Sequence, residues 1–228
     1  MRILTAPEMR AADEATFQQL GVPSRAVMEA AGRHVAELIV EKFSQAVALG
    51  VLVITGPGNN GGDGFVVARS LLHLGIKASV LAVRPPTALK GDAQTSAAAF
   101  EKAGGEILLV EKNNWEKATI ALNAQSFGVL IDAVLGTGIQ GILAAEITSA
   151  IEFINSFAAA RHLPVVSIDV PSGVESDSGL VSGAAVQATL TASLAALKLC
   201  HVLSPGAELC GTTFVTDIGV PASLSPSG

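Results

Sequence analysis

Apolar positions recur three and four residues apart over the first 45 residues. From Val51 onward the pattern changes to short continuous apolar runs alternating with helical stretches. Thr5-Ala6-Pro7-Glu8 has the spacing of a capping box, which predicts a helix that ends before Gly21. Ser24 is expected to cap a second helix, with Val27, Ala31, His34, Val35 and Leu38 on one face. Strands are predicted over 51–54, 77–83, 107–110, 129–131 and 164–168, with further β-capable segments at 188–197 and 212–216. Helices are predicted between them over 62–74, 92–103, 115–125 and 144–160. This alternation predicts an α/β fold with a mostly parallel, doubly wound sheet and helices on both faces. One domain is expected over 1–228, with a helical N-terminal extension at 1–45 and a core at 51–221. The Pro/Ser-rich tail at 221–228 is expected to fray, or to be a severed linker to something downstream.

Composition narrows the function classes. Half of the residues are hydrophobic and 15% are charged, against about 25% in an average globular protein. A disordered chain is thereby excluded. The apolar residues are mostly aliphatic, which suits a sheet covered on both faces. A net charge of −6 argues against nucleic-acid binding. No apolar run reaches the roughly 18 residues that a transmembrane helix needs, and Pro7 and Glu8 interrupt any signal-peptide layout. Cys200 and Cys210 are too few for a disulfide framework or a zinc site, and are expected to be reduced thiols in a cytoplasmic protein. The chain has no Tyr, so mechanisms with a tyrosine acid are ruled out.

Three predicted strands end in polar, glycine-rich loops. In a parallel α/β sheet, ligands bind beyond those carboxyl ends. The first loop runs Thr55-Gly56-Pro57-Gly58-Asn59-Asn60-Gly61-Gly62-Asp63-Gly64. Gly56, Gly58 and Gly61 satisfy the dinucleotide fingerprint, but the acid that should hold the ribose about 20 residues on is missing; Arg84 is the nearest charge. This disfavours an ordinary nicotinamide-dependent oxidoreductase. Such a loop still exposes backbone amides to phosphate at a helix start, or is a tight turn with no ligand. The second loop, Asp132-Ala133-Val134-Leu135-Gly136-Thr137-Gly138, offers a carboxylate beside an anion-binding nest, or a helix-capping turn. The third, Asp169-Val170-Pro171-Ser172-Gly173, is a stiffened turn with an acid and a hydroxyl, or a solvated Asp turn. Lys198 is read as a surface lysine whose head snorkels to water, and His34, His73, His162 and His201 as surface or packing residues.

Taken together and in this order, these segments resemble the NAD(P)H-hydrate epimerase family, whose domain is the YjeF-type N-terminal domain. The resemblance rests on Asn59-Asn60-Gly61-Gly62-Asp63-Gly64, on Asp132 to Gly138 and on Asp169-Val170-Pro171-Ser172-Gly173. Met28-Glu29-Ala30-Ala31-Gly32 and the stretch from Thr212 to Pro221 resemble the family's opening and close. It implies a three-layer αβα Rossmann-like domain, commonly a homodimer. The implied activity converts the R epimer of hydrated NADH or NADPH to the S epimer, for repair by an ADP- or ATP-dependent NAD(P)H-hydrate dehydratase. A potassium ion is implied at Asn60, Asp132 and Ser172. Substrate contacts are implied at Asn59, Asn60, Gly61, Gly62 and Asp63, at Gly136, Thr137, Gly138, Ile139, Gln140, Gly141 and Ile142, and at Asp169. Many members carry a basic residue near Gln140; its absence here leaves backbone amides to meet the phosphate.

The reactive carbon of such a hydrate bears a hydroxyl and the ring nitrogen. Inversion therefore needs proton transfer at oxygen but no redox step, and a positioned carboxylate contributes about 10²–10⁴-fold. Asp169 is the expected acid–base group. The rival from another class is a non-catalytic nucleotide-sensing or scaffold module of the same fold.

Overall fold

The computed structural model describes residues 2–139, 141–181 and 183–221. Seven strands form one sheet: β1 (Val51–Thr55), β2 (Ala78–Ala82), β3 (Glu106–Leu109), β4 (Val129–Ala133), β5 (Val165–Ile168), β6 (Leu190–Leu194) and β7 (Thr212–Thr216). Every neighbouring pair is parallel, in the order β3-β2-β1-β4-β5-β6-β7. The helices are α1 (Ala6–Gln19), α2 (Ser24–Lys42), α3 (Asn59–His73), α4 (Gly91–Lys102), α5 (Trp115–Asn123), α6 (Ala145–Arg161) and the single turn α7 (Gly206–Leu209).

Successive residues of a strand face opposite sides of the sheet, so each strand feeds two cores. Val51, Val53 and Ile131 pack with Val35 and Ile39 of α2, Phe65 and Leu71 of α3 and Phe100 of α4. Leu52, Ile54 and Leu130 pack on the other face with Leu122 of α5 and with Ile151 and Ile154 of α6. The result is the expected three-layer αβα sandwich, and all of its strand pairs are parallel. From β1 the chain winds outward to β3 and then returns to β4, so the order reverses between β1 and β4. That reversal leaves a crevice beyond the carboxyl ends of the strands, where Thr55 is in register with Ala133.

Two boundaries differ from expectation. Helix α3 begins at Asn59 rather than at 62, so the first glycine-rich segment is largely the opening turns of a helix. Gly61, Gly62 and Gly64 weaken the sequence signal for a helix, but packing demands the smallest side chain here. A Cβ at Gly61 would lie 2.1 Å from the Gly56 carbonyl oxygen, and one at Gly56 would lie 1.9 Å from that of Val134. In α2, Pro23 takes the cap position and Ser24 is already helical; the Ser24 hydroxyl donates to Asp92 instead. The capping box at Thr5 forms as expected, with the Glu8 carboxylate accepting from the Thr5 amide at 2.7 Å.

The N-terminal segment is tied to the chain that follows β6. The Leu4 amide donates to the Leu197 carbonyl at 2.8 Å, and the Leu197 amide to the Arg2 carbonyl at 3.1 Å. Asp177 accepts from the Ala6 amide at 2.6 Å, at the start of α1. Helix α1 therefore lies over the strand ends. No helix among the described residues is long and apolar enough to cross a membrane. The expectation for the Pro/Ser-rich tail falls mostly on 222–228, outside the described residues.

Candidate functional site

Asp132 is the last polar residue of β4 and is fully buried. Its carboxylate accepts from the Ser172 hydroxyl at 2.6 Å, the Ser172 amide at 2.8 Å, the Ser167 hydroxyl at 2.9 Å and the Val134 amide at 3.2 Å. Burial pushes its pKa up, and the hydrogen bonds from Ser172, Ser167 and Val134 oppose that shift. Ser172 also accepts from the Leu135 amide at 2.8 Å, while Asn60 Nδ2 donates to the Leu135 carbonyl at 2.9 Å. The second and third loops and the start of α3 thus meet at Leu135, which joins Asn60 to Asp132 through Ser172.

Asp169 follows β5 with a φ of +69°, in the left-handed region, and its own amide donates to the Ala192 carbonyl at 2.8 Å. Its Oδ1 accepts from the Leu194 amide at 3.2 Å and forms an ion pair with Lys198 Nζ. Lys198 is only 1% exposed, and its ammonium also donates to the Leu194 carbonyl at 2.7 Å. The sequence reading of a snorkelling surface lysine is therefore corrected. The turn after β6 folds the stem inward, and the charge is matched inside the protein rather than in water. His201 is likewise not a simple surface or packing residue. Its Nδ1 accepts from the Lys198 amide at 2.9 Å, so the ring proton resides on Nε2, which donates to the Asp169 carbonyl at 3.0 Å. Burial, assisted by the Lys198 charge, holds the imidazole pKa down at about 4.

Asn60, Leu135, Asp169 and Lys198 border a cleft of about 470 Å³. Of the residues expected to meet a substrate, Asn59, Asn60, Asp63, Gly136, Thr137, Gly138 and Asp169 line it. Gly61 and Gly62 do not; their role is packing, against the Gly56 backbone and the Met28 side chain respectively. Ile139, Gly141 and Ile142 are also off the lining, with Ile142 wholly exposed, and Gln140 lies outside the described residues. Asp132 and Ser172 sit beneath the floor rather than on it.

Helix α1 supplies Met9, Arg10, Asp13 and Phe17 to the lining, none of which the sequence reading singled out. Asp13 follows Met9 by four positions, on the buried side of the helix, and an acid there was the available signal. Asp13 Oδ1 is buried and lacks a hydrogen-bond partner among the described residues. Its pKa is pushed up to about 6, mainly by burial and then by the Asp169 charge, with Lys198 opposing. Burial raises Asp63 well above the ordinary carboxylate range, and Asp169 and Asp13 add to that shift. The cleft therefore combines one ion-paired carboxylate with two carboxyl groups whose hold on a proton is strengthened by burial.

The oxygens at and beneath the floor suit a hard monovalent cation: the Asp132 carboxylate, the Ser172 hydroxyl and the Leu135 carbonyl, the last of which also accepts from Asn60 Nδ2. Asp132 is buried among neutral donors, and no cationic side chain contributes to its shift. No grouping of three or more His, Cys, Asp and Glu side chains that could hold a metal occurs among the described residues.

Comparison with known proteins gives a consistent answer. The sequence profile described as YjeF-related protein N-terminus matches residues 24–200. The bifunctional NAD(P)H-hydrate repair enzyme Nnr of Moorella thermoacetica is 38% identical over 98% of this chain, which spans 42% of that enzyme. The NAD(P)H-hydrate epimerase of Pirellula staleyi is 34% identical, over 98% of this chain and 95% of that protein. The crystal structure of yeast ynu0, YNL200c, superposes with a TM-score of 0.77 at 23% identity, covering 94% of this chain and 87% of that one. The chain thus spans less than half the length of the bifunctional relatives and nearly the whole of the epimerase.

Proposed function

The chain belongs to the family of YjeF-related protein N-termini, and from that membership and the cleft we propose that it epimerises hydrated NADH and NADPH. The reaction takes the R epimer to the S epimer at the carbon bearing the hydroxyl and the ring nitrogen, as a step of nucleotide repair. The observation that carries this reading is Asp169. It is a carboxylate ion-paired to a buried lysine, at a cleft that also receives the N-terminus of α3. The names of the Moorella and Pirellula relatives support the same chemistry.

The amides of Asn59 and Asn60, at the first turn of α3, suit the pyrophosphate, since a helix N-terminus favours anions. Gly136, Thr137 and Gly138 line the cleft beside them. Arg10 lines the same cleft and makes no hydrogen bond or ion pair among the described residues, so it supplies the cation that the loop near Gln140 lacks. Asp169 exchanges the proton at the hydroxyl oxygen and stabilises transient positive charge on the ring. Lys198 and His201 hold its carboxyl group and its backbone in place. Asn60, Asp132 and Ser172 would hold potassium. Such an ion supplies positive charge that fixes the loop and offsets the pyrophosphate.

Fusion of an epimerase part to a repair enzyme in relatives named bifunctional supports coupling to an ADP- or ATP-dependent hydrate dehydratase. We also assign the chain to the cytoplasm and to a homodimer. Chromatographic separation of the R and S hydrates of NADH tests the activity. Equilibration well above the spontaneous rate, lost in Asp169→Ala, is expected. A background rate with hydrate still bound would instead indicate a sensing or scaffold module.

A further inference from the structure

Inverting a carbon that exchanges water presents a problem of two faces. The hydroxyl must leave from one face of the ring with an added proton, and water must return to the other face and lose one. A single carboxylate reaches one face without moving. Of the other carboxyl groups that line the cleft, Asp13 stands on a wall of its own, helix α1.

Asp13 comes from α1, whereas Asp169 comes from the turn after β5. Both line the same cleft and lie within electrostatic reach of each other. Their surroundings differ. Asp169 is paired with the Lys198 ammonium and receives the Leu194 amide. Among the described residues Asp13 has no cationic partner in contact, and its Oδ1 is buried without a donor, a situation that a proton relieves. Charged groups face Asp13 from several elements: Asp63 on α3, Asp169 after β5 and Lys198 after β6, while Arg10 and Asp92 share the same cleft. One carboxylate held by an ammonium and one carboxyl group left without a donor are the two unlike environments that an acid–base pair uses.

We propose, on the reading of the site as a hydrate epimerase, that Asp13 is a second catalytic residue, the proton donor that works opposite Asp169 across the nicotinamide ring. In the R-to-S direction the Asp13 carboxyl protonates the hydroxyl, and the C–O bond breaks with its electron pair leaving as water. The ring nitrogen's lone pair forms the iminium. Water adds to the opposite face and gives its proton to the Asp169 carboxylate. Product and substrate differ only in configuration, so one proton has moved from Asp13 to Asp169, and its return through the cleft resets the enzyme. In the other direction the two groups exchange roles.

The test is the rate of R–S equilibration in wild type, Asp13→Asn and Asp13→Glu, with Glu14→Gln on the exposed side of α1 as a control. Hydrate binding is measured alongside by calorimetry. The expected result is a kcat about 10²-fold lower or worse in Asp13→Asn, with KM changed by less than about threefold. Wild type should lose kcat as pH rises past about 6, that limb should vanish in Asp13→Asn, and Asp13→Glu should restore part of the rate with a displaced limb. A fast wild type whose rate and limb survive in Asp13→Asn overturns the role of Asp13 and leaves the epimerase reading standing. If Asp13→Asn fails to fold, an unchanged limb in Asp13→Glu overturns it equally. A wild type no faster than buffer overturns the epimerase reading itself, and this proposal with it.

Discussion

The ammonium of Lys198 rests on Oδ1 of Asp169, joining two residues 29 positions apart inside a protein that leaves only 1% of the lysine exposed. The pair fixes the position of the group assigned to proton transfer. Lys198→Met should strand a carboxylate without its counterion, at a cost of about 3 kcal/mol or more. Urea denaturation measures that loss, and the double variant with Asp169→Asn should recover most of it. Equal stabilities of Lys198→Met and wild type would show the pair to be energetically idle.

Asp13 makes a prediction about stability that is separate from activity. In the folded protein it keeps its proton to about pH 6, whereas the unfolded chain releases it near the ordinary value of 3.8. The folded state therefore binds the extra proton between those values, and wild type loses stability as pH rises through that window. Asp13→Asn should melt several degrees above wild type at pH 8 and level with it at pH 3.5. A difference independent of pH would contradict the buried carboxyl.

Potassium should stabilise the fold if Asn60, Asp132 and Ser172 bind it. At about fivefold above its Kd the ion adds about 1 kcal/mol. Melting curves in potassium chloride and choline chloride at equal ionic strength give the comparison. The rise should be absent in Asp132→Asn. Identical curves for wild type in the two salts would remove the cation from this site.

Arg10 should act on binding rather than on chemistry. Arg10→Ala is expected to raise KM for the hydrate by about tenfold, the equivalent of about 1.4 kcal/mol, with kcat unchanged. Steady-state kinetics at varied hydrate concentration decides it; a fall in kcat with KM unchanged would place Arg10 elsewhere in the mechanism.

Gly61→Ala tests the close approach beneath α3. The added Cβ would meet the Gly56 carbonyl oxygen at 2.1 Å, and backbone cannot move aside as a side chain does. A loss of about 1–3 kcal/mol is expected from equilibrium unfolding. An unaltered midpoint would mean that the helix start can shift without penalty.

What the sequence disclosed follows from how local its physics is. Asp132 and Asp169 were visible because each stands where an apolar run stops, and the carboxyl ends of parallel strands converge on one edge. Lys198 was misread because its partner lies 29 residues away and no local pattern marks a buried ammonium. Asp13 was missed because α1 reads as an extension, while hydrogen bonds from Leu4 to Leu197 and from Ala6 to Asp177 fold it over the cleft. The start of α3 was placed three residues late because its glycines answer to a tertiary contact rather than to helix propensity.

The left-handed backbone at Asp169 carries a consequence for how this protein can change. Glycine is the residue that adopts a φ of +69° at least cost, so Asp169→Gly would ease the turn while deleting the carboxylate. Asp169→Gly would also leave the buried Lys198 ammonium without its counterion, so the ion pair holds an acid in a backbone conformation that glycine would adopt more readily. Positions 169 and 198 are therefore expected to change together, because losing either partner alone strands a buried charge.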